Sequence, residues 1–272
     1  MMTKQILVKL GGSVITEKNK EKTVNLSLVR RAFHEMGMVK GIHLQLIHGA
    51  GSFGHPTAKK YDLISGHTEK NHEYVPWAVS VTRRNMIELH SHIVDIALEK
   101  SFFPFSLPVS SNSFEKGNGE LSFFGDPLFL ALKNGFNPVL YGDVILSESR
   151  GFTILSGDRI MLEIIEFLQG TNFLPQEIIF CTDVDGFFTD DPKLNPNAKL
   201  IPKASKDEIG TLKNYARESQ NPDVTKGMLG KLEQIEQILS YGIPVKIINL
   251  TEKGRLYDSL TKERFVGTLF VP

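Results

Sequence analysis

Scarcity is the first source of information in this chain of 272 residues. It has one cysteine, Cys181, so no intrachain disulfide and no cysteine-based zinc site can form. A single free thiol fits a reducing compartment, and the cytoplasm is the expected setting. Net charge is also missing. The 31 Lys+Arg balance 31 Asp+Glu, which leaves no basic field for binding nucleic acid by bulk electrostatics. Long hydrophobic runs are absent as well. Ile6-Leu7-Val8 is broken by Lys9 and is too short for a signal-peptide core. No stretch approaches the ~18 apolar residues of a membrane span. There is no repeat of ~20–50 residues, no Gly/Ser/Pro-rich linker and no GxxxxGK[ST] phosphate loop. No metal site is expected from histidine spacing. His90 and His92, two apart on an expected helix, face different ways.

What is present is ordinary globular composition, 41% hydrophobic and 23% charged. Apolar runs predict strands over 5–10, 43–48, 105–110, 137–142, 177–182, 244–249 and 264–271. Helical spacing predicts helices over 26–40, 76–99, 127–134, 159–168 and 226–240, and 118–124 reads as a hairpin or loop edge. The strands are mostly continuous apolar runs that alternate with helices, the pattern of a mainly parallel sheet covered on both faces. One continuous α/β domain over 1–272 is expected. The polar stretch 189–222 has few apolar anchors and is expected to be the most mobile element.

One device recurs. Strand after strand ends in a glycine turn: Gly11-Gly12-Ser13, Gly49-Ala50-Gly51-Ser52, Gly142-Asp143, Gly157-Asp158 and Asp185-Gly186. Parallel sheets bind ligands beyond the carboxyl ends of their strands, and exposed amides there cradle phosphate. Residues 49–54 spell GxGxxG, but no acidic residue tips a second strand about 20 residues on, as a dinucleotide site requires. Lys9 inside an apolar strand points to function, because lysine is almost never buried unpaired. Other residues have plain alternatives. Asp143 and Asp158 suit helix caps, and Lys18 suits a solvated loop with Lys20 and Lys22. Lys231 suits an ion pair with Glu236 or Asp223, and Asp183 and Asp185 suit a turn or a metal site.

Taken in order, Val8-Lys9-Leu10-Gly11-Gly12-Ser13, His48-Gly-Ala-Gly-Ser-Phe-Gly-His55, Tyr141-Gly142-Asp143-Val144, Ser156-Gly157-Asp158, Thr182-Asp-Val-Asp-Gly186 and 223–231 resemble the amino acid kinase superfamily. Within it, the opening 9–18 and the stretch 48–55 are similar to the isopentenyl phosphate kinases. The resemblance implies a three-layer αβα sandwich, with the acceptor in the N-terminal part and ATP in the C-terminal part. It also implies Mg²⁺ and a homodimer. By similarity, Lys9 and Lys231 would contact the transferring phosphoryl group, Lys18 would add stabilisation, and Asp158 would hold the lysines. Gly12 and Gly51 would present amides to ATP, within a nucleotide-binding set that also includes Gly11 and Ser13. Thr182, Asp183, Asp185 and Gly227 would border the nucleotide. Ala50, Gly54, His55 and Gly142 would lie at the acceptor phosphate. Two positions depart from the pattern: Lys226 stands where a glycine is usual, and Ala50 where glycine is common.

The implied reaction is ATP-dependent phosphorylation of isopentenyl phosphate to the diphosphate, a step of isoprenoid biosynthesis. A phosphonate (fosfomycin-type) kinase, an amino-acid kinase or a non-catalytic nucleotide-binding module are the alternatives. A phosphate acceptor is already ionised near neutral pH, since its second pKa is about 6, so no strong general base is needed and none is evident. The apolar residues Tyr74, Val75, Trp77, Val79, Met86 and Ile93 are candidates for a tail-binding wall, although a stripe at helical spacing is more often core.

Overall fold

The strand β1 (Lys4–Leu10) is apolar on both sides and sits near the middle of the larger of two sheets. The computed structural model describes residues 3–192, 194–215 and 229–272, and, for the backbone alone, 216–218 and 222–228. After β1 come a one-turn helix α1 (Gly12–Ile15), α2 (Leu26–Gly37) and β2 (Ile42–His48). Next are α3 (Gly51–Lys60), the long α4 (Val75–Glu99), β3 (Pro104–Ser106) and α5 (Val109–Asn112). A hairpin of β4 (Ser113–Glu115) and β5 (Leu121–Phe123) leads to α6 (Asp126–Lys133) and β6 (Asn137–Tyr141). A second hairpin, β7 (Asp143–Ser147) and β8 (Gly151–Leu155), precedes α7 (Gly157–Leu168) and β9 (Glu177–Thr182). The chain then forms β10 (Lys203–Ser205), α8 (Ile209–Glu218), α9 (Pro222–Ser240), β11 (Val245–Asn249), α10 (Arg255–Thr261) and β12 (Thr268–Val271).

The larger sheet runs β10-β12-β11-β9-β1-β2-β6-β3, and only the β11–β12 pairing is antiparallel. Alternate side chains of each strand enter different cores. Leu7, Ile47, Leu140, Ile178 and Phe180 pack under α6, α7, α8 and α9. Ile6, Val8, Leu46, Tyr141 and Ile179 pack under α1, α2, α3, α4 and α10. Burial on both faces explains the continuous apolar runs and gives the αβα sandwich. Of the four-stranded sheet β5-β4-β7-β8 only the hairpin edge at 118–124 was foreshadowed, because its strands are three to five residues long. The expected strand at 105–110 is cut to β3, and residues 109–112 turn into α5.

Register places the functional turns together. Leu10 pairs with His48 and Cys181, and His48 pairs with Tyr141, so four strands end along one line. The turns after them meet closely. A methyl on Gly12 would collide with the Gly51 amide, and Gly51 itself has φ +49°, so neither position accepts a side chain without displacement.

The stretch 189–222 holds regular structure among its described residues. It contains β10 and α8, and two apolar residues suffice to dock the helix: Ile209 and Leu212 enter the core beneath the sheet. Ser205 and Glu208 form a reciprocal capping box just before α8. Ile209→Ala is therefore expected to lower stability by about 2–5 kcal/mol, as other large-to-small core changes do. Urea unfolding measures this; a shift under about 0.5 kcal/mol, the usual range of surface changes, would mean that α8 is not part of the core.

Candidate active site

At the line of strand ends lies a cavity of ≈ 220 Å³. Lys9, Gly11, Gly12, Gly49 and Ala50 line one part of it, with Gly142, Ser156, Gly157 and Asp158 beside them. Gly54 and His55 come from α3, and Ala58, Met86, Val144, Ile154 and Leu155 supply apolar surface. The cavity is thus polar and cationic on one side and apolar on another.

Lys9 is the last residue of β1 on the face that packs under α7 and α9. Its ammonium donates to the Asp158 carboxylate in the first turn of α7. That turn is held by Ser156, whose hydroxyl accepts from the Arg159 amide at 3.2 Å. Phe180, on the adjacent strand, carries two cations over its ring: Lys9 Nζ lies 5.6 Å and Lys231 Nζ 5.9 Å from the ring centroid. Burial and the neighbouring Lys9 charge push Lys231 down to about 8, against the opposing pull of Asp158 and Asp183. Glu236 pairs with Lys213 at 2.6 Å, so it is not the partner of Lys231. His55 is also pushed down, by burial first and then by Lys9.

Several other residues singled out in the sequence lie beyond the cavity or have their polar groups already paired. Lys18 pairs with Asp183 at 2.7 Å, which ties the charged loop to the end of β9. The Thr182 hydroxyl shares its proton between the Val184 and Ile248 carbonyls, at 2.9 and 3.1 Å. Asp185 lies 3.9 Å from Arg255, with one oxygen buried and without a hydrogen bond. Gly11 lines the cavity, but its amide is taken by the Cys181 carbonyl at 3.0 Å. Ser13 is exposed on α1, outside the cavity. Gly12 and Gly51 open α1 and α3, positions whose amides have no acceptor within their own helix. Ala50 has φ −81°, a right-handed conformation in which its methyl is tolerated. Lys226 and Gly227 lie outside the residues described with side chains. Of the candidate wall residues only Met86 lines the cavity; Val75 and Ile93 are core, and Tyr74 and Trp77 are exposed.

Several supports were not foreseen. Thr16 clasps the two glycine turns: its hydroxyl donates to the Gly12 carbonyl at 2.7 Å and accepts from the Ser52 amide at 2.9 Å. Asp143 lines the cavity and is raised, mainly by burial, with Arg83 3.5 Å away. Arg83 also donates to Ser110 at 2.9 Å. His48 and His90 are buried together behind the Gly49 turn. A Thr four residues past a Gly-Gly pair is the one such signal visible in the sequence.

Comparison with known proteins gives a consistent set of likenesses. The model of the amino acid kinase family matches residues 4–249. The isopentenyl phosphate kinase of Methanothermobacter thermautotrophicus is 32% identical over 271 residues, covering 97% of each chain. That of Thermoplasma acidophilum is 31% identical over 265 residues, covering 97% of this chain and 99% of its own. A solved isopentenyl phosphate kinase structure superposes with a TM-score of 0.82 at 29% identity, covering 98% of this chain and all of its own.

The electrostatics generate a test that needs no substrate. Lys231 is at about 8 in the folded chain against an ordinary 10.5. Between those values the unfolded chain binds more protons, so this group makes stability rise with pH across that window and weakens the fold below it. Lys231→Met should therefore raise Tm at pH 7, and the gain should shrink as pH approaches 10. A mutant that loses stability equally at both pH values would contradict the shift.

Proposed function

Since this chain belongs to the amino acid kinase family, we propose that it transfers the γ-phosphoryl group of ATP to isopentenyl phosphate, forming isopentenyl diphosphate for isoprenoid biosynthesis. The observation that carries this reading is the two-sided cavity. Lys9, His55 and backbone amides suit a phosphate, while Ala58, Met86, Val144, Ile154 and Leu155 suit a short hydrocarbon tail. An amino-acid acceptor would need a carboxylate for its ammonium group. The carboxylates that line the cavity, Asp143 and Asp158, already face Arg83 and Lys9.

In this reading the ATP phosphates lie over Gly12 and Gly51 and between Lys9 and Lys231, with Lys18, Thr182, Asp183, Asp185 and Gly227 toward the nucleotide. The acceptor phosphate lies at Ala50, Gly54, His55 and Gly142. Bringing two polyanions together is the main barrier, and fixed cations and preorganised amides offset it. Asp158 keeps Lys9 in place before ATP arrives. The acceptor oxygen attacks the γ-phosphorus in line as an anion, so no residue has to remove a proton. A dianion beside His55 favours its charged form and opposes the effects that hold it down.

Mg²⁺ accompanies ATP in the proposal. Among the described residues no group of three or more His, Cys, Asp or Glu could hold a metal ion. Asp158 and Asp183 each face a lysine. The described residues therefore offer no cage, and the ion would be held by the nucleotide phosphates and water. A homodimer and a cytoplasmic setting belong to the same proposal. Supporting the former, Phe103, Phe105 and Phe136 are exposed around the edge strand β3. No helix among the described residues is long and apolar enough to cross a membrane.

His55→Ala is expected to reduce kcat/KM for isopentenyl phosphate about 10²-fold, the usual effect of removing one stabilising donor. ATP binding, followed by calorimetry, should be unchanged. Undiminished kcat/KM in the mutant would remove His55 from the acceptor site.

A further inference from the structure

Behind the Gly49 turn runs a chain of polar groups that phosphoryl transfer itself does not use. His48 Nδ1 is 3.2 Å from the Gly49 carbonyl oxygen, and its Nε2 is 3.1 Å from His90 Nδ1. His90 Nε2 is 2.8 Å from the Ser106 hydroxyl. A carbonyl only accepts, so the proton of neutral His48 sits on Nδ1, and its Nε2 must accept. His90 Nδ1 then carries the proton and donates, and His90 Nε2 accepts from Ser106. The chain runs one way, from Ser106 on β3 through α4 to the Gly49 carbonyl. Every group in it is satisfied only when both rings are neutral. Burial enforces that state, pushing His48 down to about 3 and His90 to about 4. Tyr141 stacks on His48 at 5.1 Å and lies tilted by 36° against His90 at 4.6 Å between centroids.

The Gly49 carbonyl and the Ala50 amide belong to one planar trans peptide, so fixing one fixes the other in the opposite direction. Gly49 and Ala50 both line the cavity. Among the described residues the Ala50 amide has no protein acceptor. With glycine on one side this peptide is easily turned over. A flip would present a carbonyl oxygen where an anion is to bind.

We propose that Ser106, His90 and His48 form a directional hydrogen-bond relay that locks the Gly49–Ala50 peptide with its amide toward the acceptor phosphate, making His48 and His90 positioning residues for acceptor binding. The identity of that acceptor rests on the function proposed above; the relay itself does not.

The test combines mutants with a tautomer measurement. His90→Leu removes the donor to His48 and should raise KM for isopentenyl phosphate about 10- to 100-fold, the worth of a hydrogen bond to a charged group. KM for ATP should stay within about twofold, because the relay ends at the acceptor turn. His90→Asn places an amide donor near the position of Nδ1 and should recover most of the loss. In the unmodified protein, ¹⁵N shifts should show both rings as Nδ1–H tautomers, unchanged by titration down to pH 5. An Nε2–H form of either ring would overturn the relay, and so would a His90→Leu protein whose acceptor KM is normal. Should the unmodified protein leave isopentenyl phosphate untouched while both rings are Nδ1–H, the functional reading fails and the relay stands.

Discussion

Lys9 puts an ammonium group at the end of a strand whose neighbours are apolar on both faces, and such a charge persists only if it is matched. Asp158 matches it from the first turn of α7. That contact fixes α7 over the strand ends, and α7 in turn presents Ser156 and Gly157 to the cavity. The Phe180 ring beneath Lys9 also receives Lys231, so two cations share one aromatic face. Burial first, and then the neighbouring Lys9 charge, push Lys231 down to about 8. Under the proposed function, nucleotide phosphates between Lys9 and Lys231 would relieve the cost of these two charges.

The second constraint is backbone contact. Four strands of one parallel sheet end in register, and their glycine turns approach one another too closely for side chains. Thr16 and the relay through His48 act on the two turns separately, one joining Gly12 to α3 and the other holding the Gly49 peptide. Arg83 on α4 meets Asp143, and His90 on the same helix meets His48. Helix α4 is thus pinned at two levels to the sheet that carries the acceptor turn, while its Met86 forms part of the apolar wall. In the proposed function, α4 would thus serve both the strand ends and the tail.

How legible this was in the sequence depended on the type of signal. Continuous apolar runs marked β1, β2, β6, β9 and β11, because both of their faces are covered. Lys9 stood out since it violates that rule. Helix α3 was hidden: two glycines and Pro56 argue against a helix, yet the bond that Pro56 loses is answered, the Ser52 carbonyl accepting from the Lys22 amide at 3.5 Å. Helix α8 was hidden by its polar surface, although the Ser205–Glu208 capping signature was there to read. His48 and His90, 42 residues apart, gave no local sign. Their proximity is a product of register and of the crossing of α4 over β2. The wall residues failed for the same reason: helical spacing shows which face is apolar, but not which part of that face borders a cavity.

Steady-state kinetics with Mg-ATP test which acceptor the protein phosphorylates. The panel is isopentenyl phosphate, dimethylallyl phosphate, fosfomycin, glutamate and N-acetylglutamate. The paired carboxylates and the apolar wall predict that isopentenyl phosphate has the highest kcat/KM and that the amino acids show none. Preferred turnover of glutamate or fosfomycin, or ATP binding without turnover of any of the five, would contradict it.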